Sequence, residues 1–425
     1  MPQDTNEARH PPTLPHPGAE APTAGQPGGG PLALVMGGGG ARAAYQVGFL
    51  RALARAEPRL EIPIITGVSA GAINAVHLAA HPGTFAEAVE DLAELWSSLT
   101  LDQVLEVDGR PLLMNVLRWG LQLISGGLTG PPRIRSLVDT TPLHRFLTRT
   151  LTDGTGAIPG IQDKIRSGRL RAVAVSTSSY STGQSITWVQ GEGVSGWSRP
   201  RRSGRLTTIR LEHVMASASI PLFFPAVRIG NEWYSDGGLR LSAPLGPALN
   251  LGADRVLAIS TRFDPLSREA DRPVIRAYPP PAQVIGALMS SIFLDMLDQD
   301  AWRVETVNSL LRKIRVEDRD SFRIVRLLTL RPSRDLGRLA TEFEAGLPSV
   351  FRFLIRGLGT RETESADVLS FLLFDEEYLR LLMEIGQRDG EARLGEVGAL
   401  LNSPAAASHT LAVPLGDEEL EGSLD

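Results

Sequence analysis

Three short stretches of this 425-residue chain carry residue types that do chemistry. Gly67-Val68-Ser69-Ala70-Gly71 reads G-x-S-x-G. A serine on a sharp strand-to-helix turn has its hydroxyl pushed out of the fold, and the turn is so tight that its neighbours must be small. Gly67, Ala70 and Gly71 meet that demand. The run Gly37-Gly38-Gly39-Gly40 lies between an apolar stretch and an amphipathic one. Glycines there let the backbone turn tightly and aim several N–H groups at one point, reinforced by a helix N-terminus. Such a nest holds an anion, either a bound phosphate or a transient oxyanion. Asp236 is followed by Gly237 and Gly238, which let the chain bend so that the carboxylate projects into a cleft. Taken singly, D-G-G is an ordinary turn and G-x-S-x-G recurs by chance.

The anion can be narrowed. Gly38-x-Gly40-x-x-Ala43 satisfies a relaxed dinucleotide fingerprint, so a nucleotide-binding oxidoreductase is the rival reading. That fold wants an acidic residue at the end of the second strand to hold the ribose. Here that strand ends in Thr66-Gly67-Val68-Ser69, with Glu57 and Glu61 before it. No Lys-Ser or Lys-Thr follows the glycines, which excludes a P-loop. A serine therefore stands where a cofactor site needs its carboxylate, and this favours the oxyanion.

A serine nucleophile needs a base. His10, His16 and His409 lie in the tails; His77 and His81 sit along and at the far end of the helix after Ser69; His144 and His213 have no Gly-framed setting. None is placed as a triad histidine. Asp236, on a rigid mount after a short strand and before two glycines, is the better base.

The elements that must position these residues follow from hydrophobic patterning. Leu32–Met36 is a continuous apolar run, the mark of a buried strand. Ala41–Arg55 reads as a helix, Ile62–Thr66 as a second strand, and Ala70–Ala80 as the helix after it. Thr84 and Glu87 form a capping box for the next helix. Leu170–Ser176, Ser185–Val189, Trp233–Ser235 and Arg255–Ser260 read as strands, Arg210–Ser219 as a short helix, and Arg199–Arg205 as a basic loop. Strands alternating with helices predict an α/β fold around a mainly parallel sheet. Beyond a Pro-rich joint at Pro265–Pro281 the chain turns mostly helical: Val284–Ile314 as one long helix, Ser365–Phe374, and Asp375–Gly386 with Asp375 as N-cap. Phe322–Leu330 is a candidate strand. The expected organisation is a Pro/Gly-rich disordered tail over 1–30, a catalytic domain over 31–263, a helical extension over 264–401 and a flexible acidic tail over 402–425.

Composition excludes several classes. The net charge of −5 gives no bulk electrostatic case for nucleic acid. The absence of cysteine removes disulfides, thiol nucleophiles and Cys-based zinc sites, and fits a cytoplasmic protein. No secretory signal and no apolar window long enough to span a bilayer is visible. Contact with a membrane would thus be peripheral. Candidates for it are Leu112–Ile124, apolar on almost every side and with the lining of an acyl channel as its other functional reading, and the basic loop; buried core and solvated loop are the plainer readings. Nothing in the sequence sets the oligomeric state.

Together the three motifs resemble the patatin-like phospholipase family in its bacterial form. The resemblance rests on Gly38-Gly39-Gly40-Ala41-Arg42-Ala43, on Gly67-Val68-Ser69-Ala70-Gly71-Ala72-Ile73-Asn74-Ala75 and on Asp236-Gly237-Gly238, in that order and spacing. Ala44-Tyr45-Gln46-Val47-Gly48 and Ala216–Pro225 add to it. It covers residues 31–262 and, less distinctively, the helical region to about 400. It implies a three-layer α/β/α fold and a Ser–Asp dyad hydrolysing acyl esters of lipids, as a phospholipase A or lysophospholipase does, with acyl transfer or thioester cleavage as variants on the same site. Ser69 would be the nucleophile, Asp236 the base, and the N–H groups of Gly38, Gly39, Gly40 and Ala41 the oxyanion hole. Arg42 matches the loop's basic position, while Gly67, Gly71, Gly237 and Gly238 shape the two turns. No cofactor and no metal is implied; the expected partner is a phospholipid or other lipid ester. Two positions depart from the family pattern: Ala43 stands where Gly is usual, and Ser242-Ala243-Pro244 where Asn-x-Pro is common.

Overall fold

Leu32–Met36 (β1) is buried on both faces, and its side chains alternate between two cores. Leu32, Leu34 and Met36 join the larger core; Ala33 and Val35 join the smaller one on the opposite face. The same alternation runs through β2 (Ile64–Val68), β3 (Ala172–Ser179) and β9 (Arg255–Ile259), as period-2 side-chain geometry requires. A sheet covered on both faces by helices is a three-layer α/β/α architecture. The computed structural model describes residues 30–106, 136, 138–263, 281–319, 322–348, 352 and 367–403. The expected tails up to residue 29 and from residue 404, most of the Pro-rich joint, and Leu112–Ile124 lie outside the described residues.

Among the described residues the sheet has ten strands. The others are β4 (Ser185–Gly191), β5 (Trp197–Arg199), β6 (Arg202–Leu206), β7 (Val227–Ile229), β8 (Glu232–Asp236) and β10 (Arg326–Leu330). The order is β10-β9-β1-β2-β3-β4-β6-β5, with β8 pairing β3 and β7. Strands β10, β9, β1, β2 and β3 are mutually parallel. Helices α1 (Ala44–Ala56), α2 (Ala70–Ala80), α3 (Phe85–Ser97), α4 (Thr141–Leu151) and α5 (Leu211–Ser217) fill the larger core. Helix α6 (Gly246–Asn250) and the later α8 (Asp295–Leu311) cover the other face. The capping box at Thr84 and Glu87 is present, Thr84 Oγ1 accepting from Glu87 N at 3.3 Å and Glu87 Oε2 accepting from Thr84 N at 2.7 Å.

Beyond residue 263 the helices α7 (Pro281–Phe293), α8, α9 (Asp367–Leu372) and α10 (Glu376–Leu401) follow. Four local readings are corrected. The helix expected over Val284–Ile314 is broken at Leu294, where α8 begins with Asp295 and Asp298 in its first turn; Arg262 pairs with both of these carboxylates. Helix α10 starts at the predicted Asp375 cap but runs on through Gly386 to Leu401. Gly386 is no C-cap: its missing side chain makes room for the Tyr45 carbonyl of α1, and Gly390 makes room for Ala52. Arg199–Arg205 is a hairpin of β5 and β6, because β4 offers a free edge to pair with. The helix read from Ala41 opens as a 3₁₀ turn over Gly40–Ala43 before α1. The region after 263 clusters in the same compact unit as the sheet and adds β10 to its edge. Among the described residues no helix is long and apolar enough to cross a membrane.

Candidate active site

Ser69 sits between β2 and α2 with φ 58°, a left-handed conformation rare for a residue with a side chain. Strain of this kind, about 1–3 kcal/mol, persists only where the surroundings over-determine it. Here they do. A Cβ at Gly67 would strike the first turn of α2, and one at Gly71 would strike the carbonyls of Met36 and Gly37. Ser69 N donates to Ser217 Oγ at 3.0 Å, and Ser217 Oγ donates to the Ser176 carbonyl of β3 at 2.7 Å. The Ser69 carbonyl accepts from Ala72 N at 2.9 Å.

The Gly-rich loop leaves the end of β1 beside this serine. A Cβ on Gly38 would lie 3.0 Å from that of Ser69. Gly39 and Gly40 have φ of 150° and 56°, which ordinary residues avoid. The loop's carbonyls are held from behind: Thr261 Oγ1 donates to Gly38 O at 2.7 Å and Gln46 Nε2 to Gly37 O at 2.8 Å. Gln46 is fixed in turn by Asn74 Nδ2 at 3.0 Å, and Asn74 by Trp96 Nε1 at 2.8 Å. The N–H groups of Gly38, Gly39 and Gly40 find no acceptor among the described residues. Buried donors left open in this way are costly unless something occupies them.

Asp236 ends β8 and reaches the same place through the sheet. Strand β3 lies between β2 and β8: Ser176 pairs with Val68 on one side and Thr177 with Asp236 on the other. Gly237 packs on Val68 and on the Ser176 carbonyl, with no space for a side chain. Asp236 is fully buried; Oδ1 accepts from Gly238 N at 2.8 Å, whereas Oδ2 has no partner of hydrogen-bond geometry. Burial pushes the carboxyl up to about 7, against the pull of the neighbouring Ser69 hydroxyl and the Gly238 N–H.

An apolar cavity opens at Ser69 and Gly40. Its walls are apolar: Ile73 and Ala70 from α2, Leu92 and Trp96 from α3, Leu143 and Leu147 from α4, with Ile220, Phe224 and Phe374. His77 also lines it, but its Nε2 lies 3.1 Å from the Ala88 carbonyl and burial lowers its pKa to about 4. His213 accepts from Arg210 N at 3.0 Å and packs edge-on against Trp188. Arg42 does not line the cavity; it is buried against α9. Among the described residues no group of three or more His, Asp or Glu is arranged to hold a metal ion.

The structure thus brings Ser69, Asp236 and the loop from Gly38 to Ala41 to one end of the sheet. Sequence reasoning missed Ser217, Thr261 and the Trp96–Asn74–Gln46 chain. Ser217 and Asn74 stand inside motif stretches, but their roles depend on elements distant in sequence.

A family model of patatin-like phospholipases matches residues 34–249. No curated protein matches the chain. Among solved structures it is similar to VipD from Legionella pneumophila, at 12% identity over 83% of this chain and 66% of that one, with a TM-score of 0.32. It is also similar to human GIVD cytosolic phospholipase A2, at 12% identity over 88% and 60%, with a TM-score of 0.43, and to the type III effector ExoU, at 14% over 86% and 53%, with a TM-score of 0.32. The chain therefore spans less than two thirds of the length of each of these proteins. With a family model matching half of its length, on a mainly parallel sheet carrying the serine turn and the Gly-rich loop side by side, the chain belongs to the patatin-like phospholipase family.

Proposed function

We propose that the protein hydrolyses carboxylic esters of lipids through a Ser69–Asp236 dyad, as a phospholipase A or lysophospholipase does. The observation that carries this reading is the apolar cavity that opens at Ser69 beside a buried carboxylate with one oxygen unbonded. An acyl chain fits such walls, and its ester carbonyl would then stand at the serine.

Ser69 Oγ attacks that carbonyl while its proton passes to Asp236 Oδ2. The negative charge appearing on the carbonyl oxygen is met by N–H groups of Gly38, Gly39, Gly40 and Ala41; one such donor is typically worth about 10²–10³ in rate. The alcohol leaves with the proton from Asp236, giving an acyl-enzyme. Water, deprotonated by the same carboxylate, releases the fatty acid. A carboxyl that titrates at about 7 is well matched to this exchange at neutral pH.

Ser69→Ala and wild type should be compared on a nitrophenyl butyrate and on a panel of lysophospholipids, diacyl phospholipids and monoacylglycerols, with products identified by mass spectrometry. Wild type should release fatty acid, and the variant should fall to background. Equal rates for the two proteins would refute the proposal.

A further inference from the structure

We infer that the segment Asp367–Phe374, far outside the region matched by the family model, is a brace that holds the oxyanion-forming loop against the Asp236 turn, with Arg42 as its anchor. This rests on reading Gly38–Ala41 as the oxyanion donors. Arg42 follows those donors directly, yet its side chain turns away from the cavity. Its guanidinium donates from Nε to Ser370 Oγ at 2.7 Å and from Nη2 to Asp367 Oδ1 at 2.5 Å, and lies 4.9 Å from the centre of the Phe371 ring. The side chain is 3% exposed. A planar cation held through Nε and Nη2, with one face covered, is fixed in direction as well as position.

Backbone contact reinforces the grip. Gly40 lies flat against the Phe371 carbonyl, where any side chain would collide. Tyr45, in the first turn of α1, donates to Asp389 of α10 at 3.0 Å. The other end of the brace reaches the base. Asp367 Oδ2 accepts from Ser290 Oγ of α7 at 2.8 Å, and Phe293 at the end of α7 packs 6.0 Å from the Phe371 ring and directly on Gly238. Gly238 N is the group that holds Asp236 Oδ1. One short helix therefore links the loop carrying the donors to the turn carrying the carboxylate, and Phe374 beyond it lines the cavity. Arg42 is a positioning residue: its Nε and Nη2 are spent on Ser370 and Asp367, and its side chain is buried away from the cavity.

The test uses Asp367→Asn, isosteric, and Ser370→Ala, which removes one hydroxyl, in the full chain. Two readouts are taken. Hydrogen exchange followed by mass spectrometry should show faster exchange in a peptide covering residues 37–50, with a β2 peptide unchanged. Turnover of nitrophenyl butyrate and of a lysophospholipid should fall in kcat by up to about 10²-fold on both, because a small misplacement of a preorganised group costs that much, with KM held to within about twofold. Unchanged exchange and unchanged kcat overturn the brace. A loss confined to the lysophospholipid and expressed in KM also overturns it, since Arg42 would then be meeting phosphate. Should wild type cleave neither ester, the hydrolase reading fails while the exchange result still judges the brace. Should Asp367→Asn not fold, Ser370→Ala carries both readouts.

Discussion

Replacing Asp236 by Asn should make the protein more stable and inactive, and the gain should depend on pH in a calculable way. The carboxyl titrates at 3.8 in an unfolded chain and at about 7 in the folded protein, because complete burial disfavours the ion more than the Gly238 N–H and the Ser69 hydroxyl favour it. Below 3.8 both states carry the proton and the group is neutral to folding. Between 3.8 and 7 the folded state holds a proton that the unfolded state has lost, so stability falls as pH rises. Above 7 the full penalty is felt: at about 1.4 kcal/mol per tenfold change in proton affinity it comes to about 4 kcal/mol. An asparagine does not titrate, keeps an oxygen for Gly238 N, and turns its N–H₂ to the neighbouring Ser69 hydroxyl, which can accept from it. The stability difference between variant and wild type should therefore grow from near zero at pH 4 to several kcal/mol at pH 8.5. His77 and His213, both lowered to about 4 by burial, lose stabilisation as pH falls from 6.5 towards 4, but they are common to both proteins and cancel in the difference. Urea unfolding at four or five pH values, read by tryptophan fluorescence, measures it. The same carboxyl should give wild-type kcat/KM an acid limb near pH 7. A stability difference that is flat with pH, or a variant less stable at pH 8.5, would refute the reasoning.

Leu147→Trp, placed in the cavity wall, should shift ester preference towards short chains: butyrate turnover is kept while dodecanoate turnover drops, and an unchanged ratio along a nitrophenyl ester series would show that chains bind elsewhere. Ser217→Ala leaves Ser69 N without its buried acceptor and frees the Ser176 carbonyl, so urea unfolding should register a loss of about 1–3 kcal/mol. Reactivity of Ser69 towards a fluorophosphonate should drop with it, since the strained φ at Ser69 is held partly by that bond.

Much of the fold was legible because its signals are local. Leu32–Met36 and Arg255–Ile259 are uninterrupted apolar runs of strand length, and Thr84 with Glu87 announces a helix start within four residues. The glycines around Ser69 were legible for a similar reason: a turn that admits no side chain leaves its mark in the residues forming it. Gly386 was misread as a helix end because a glycine that lets another backbone approach and a glycine that ends a helix are the same letter. The β5–β6 hairpin was missed because arginines and a glycine form strands only when an edge such as β4 is there to pair with.

The sequence by itself determined the local geometry: where strands turn into helices, which turns demand glycine, and which side chains at those turns carry reactive groups. Only the tertiary structure decided that Ser69 and Asp236 flank the same pair of residues on β3, that β10 closes the edge beside β9, and that Arg42 is spent on Asp367 and Ser370. The physical reason is the reach of the interactions. Backbone sterics and helix caps act over a few residues and are written where they act. Strand order and buried ion pairs join residues hundreds of positions apart, and no periodicity in the chain records them.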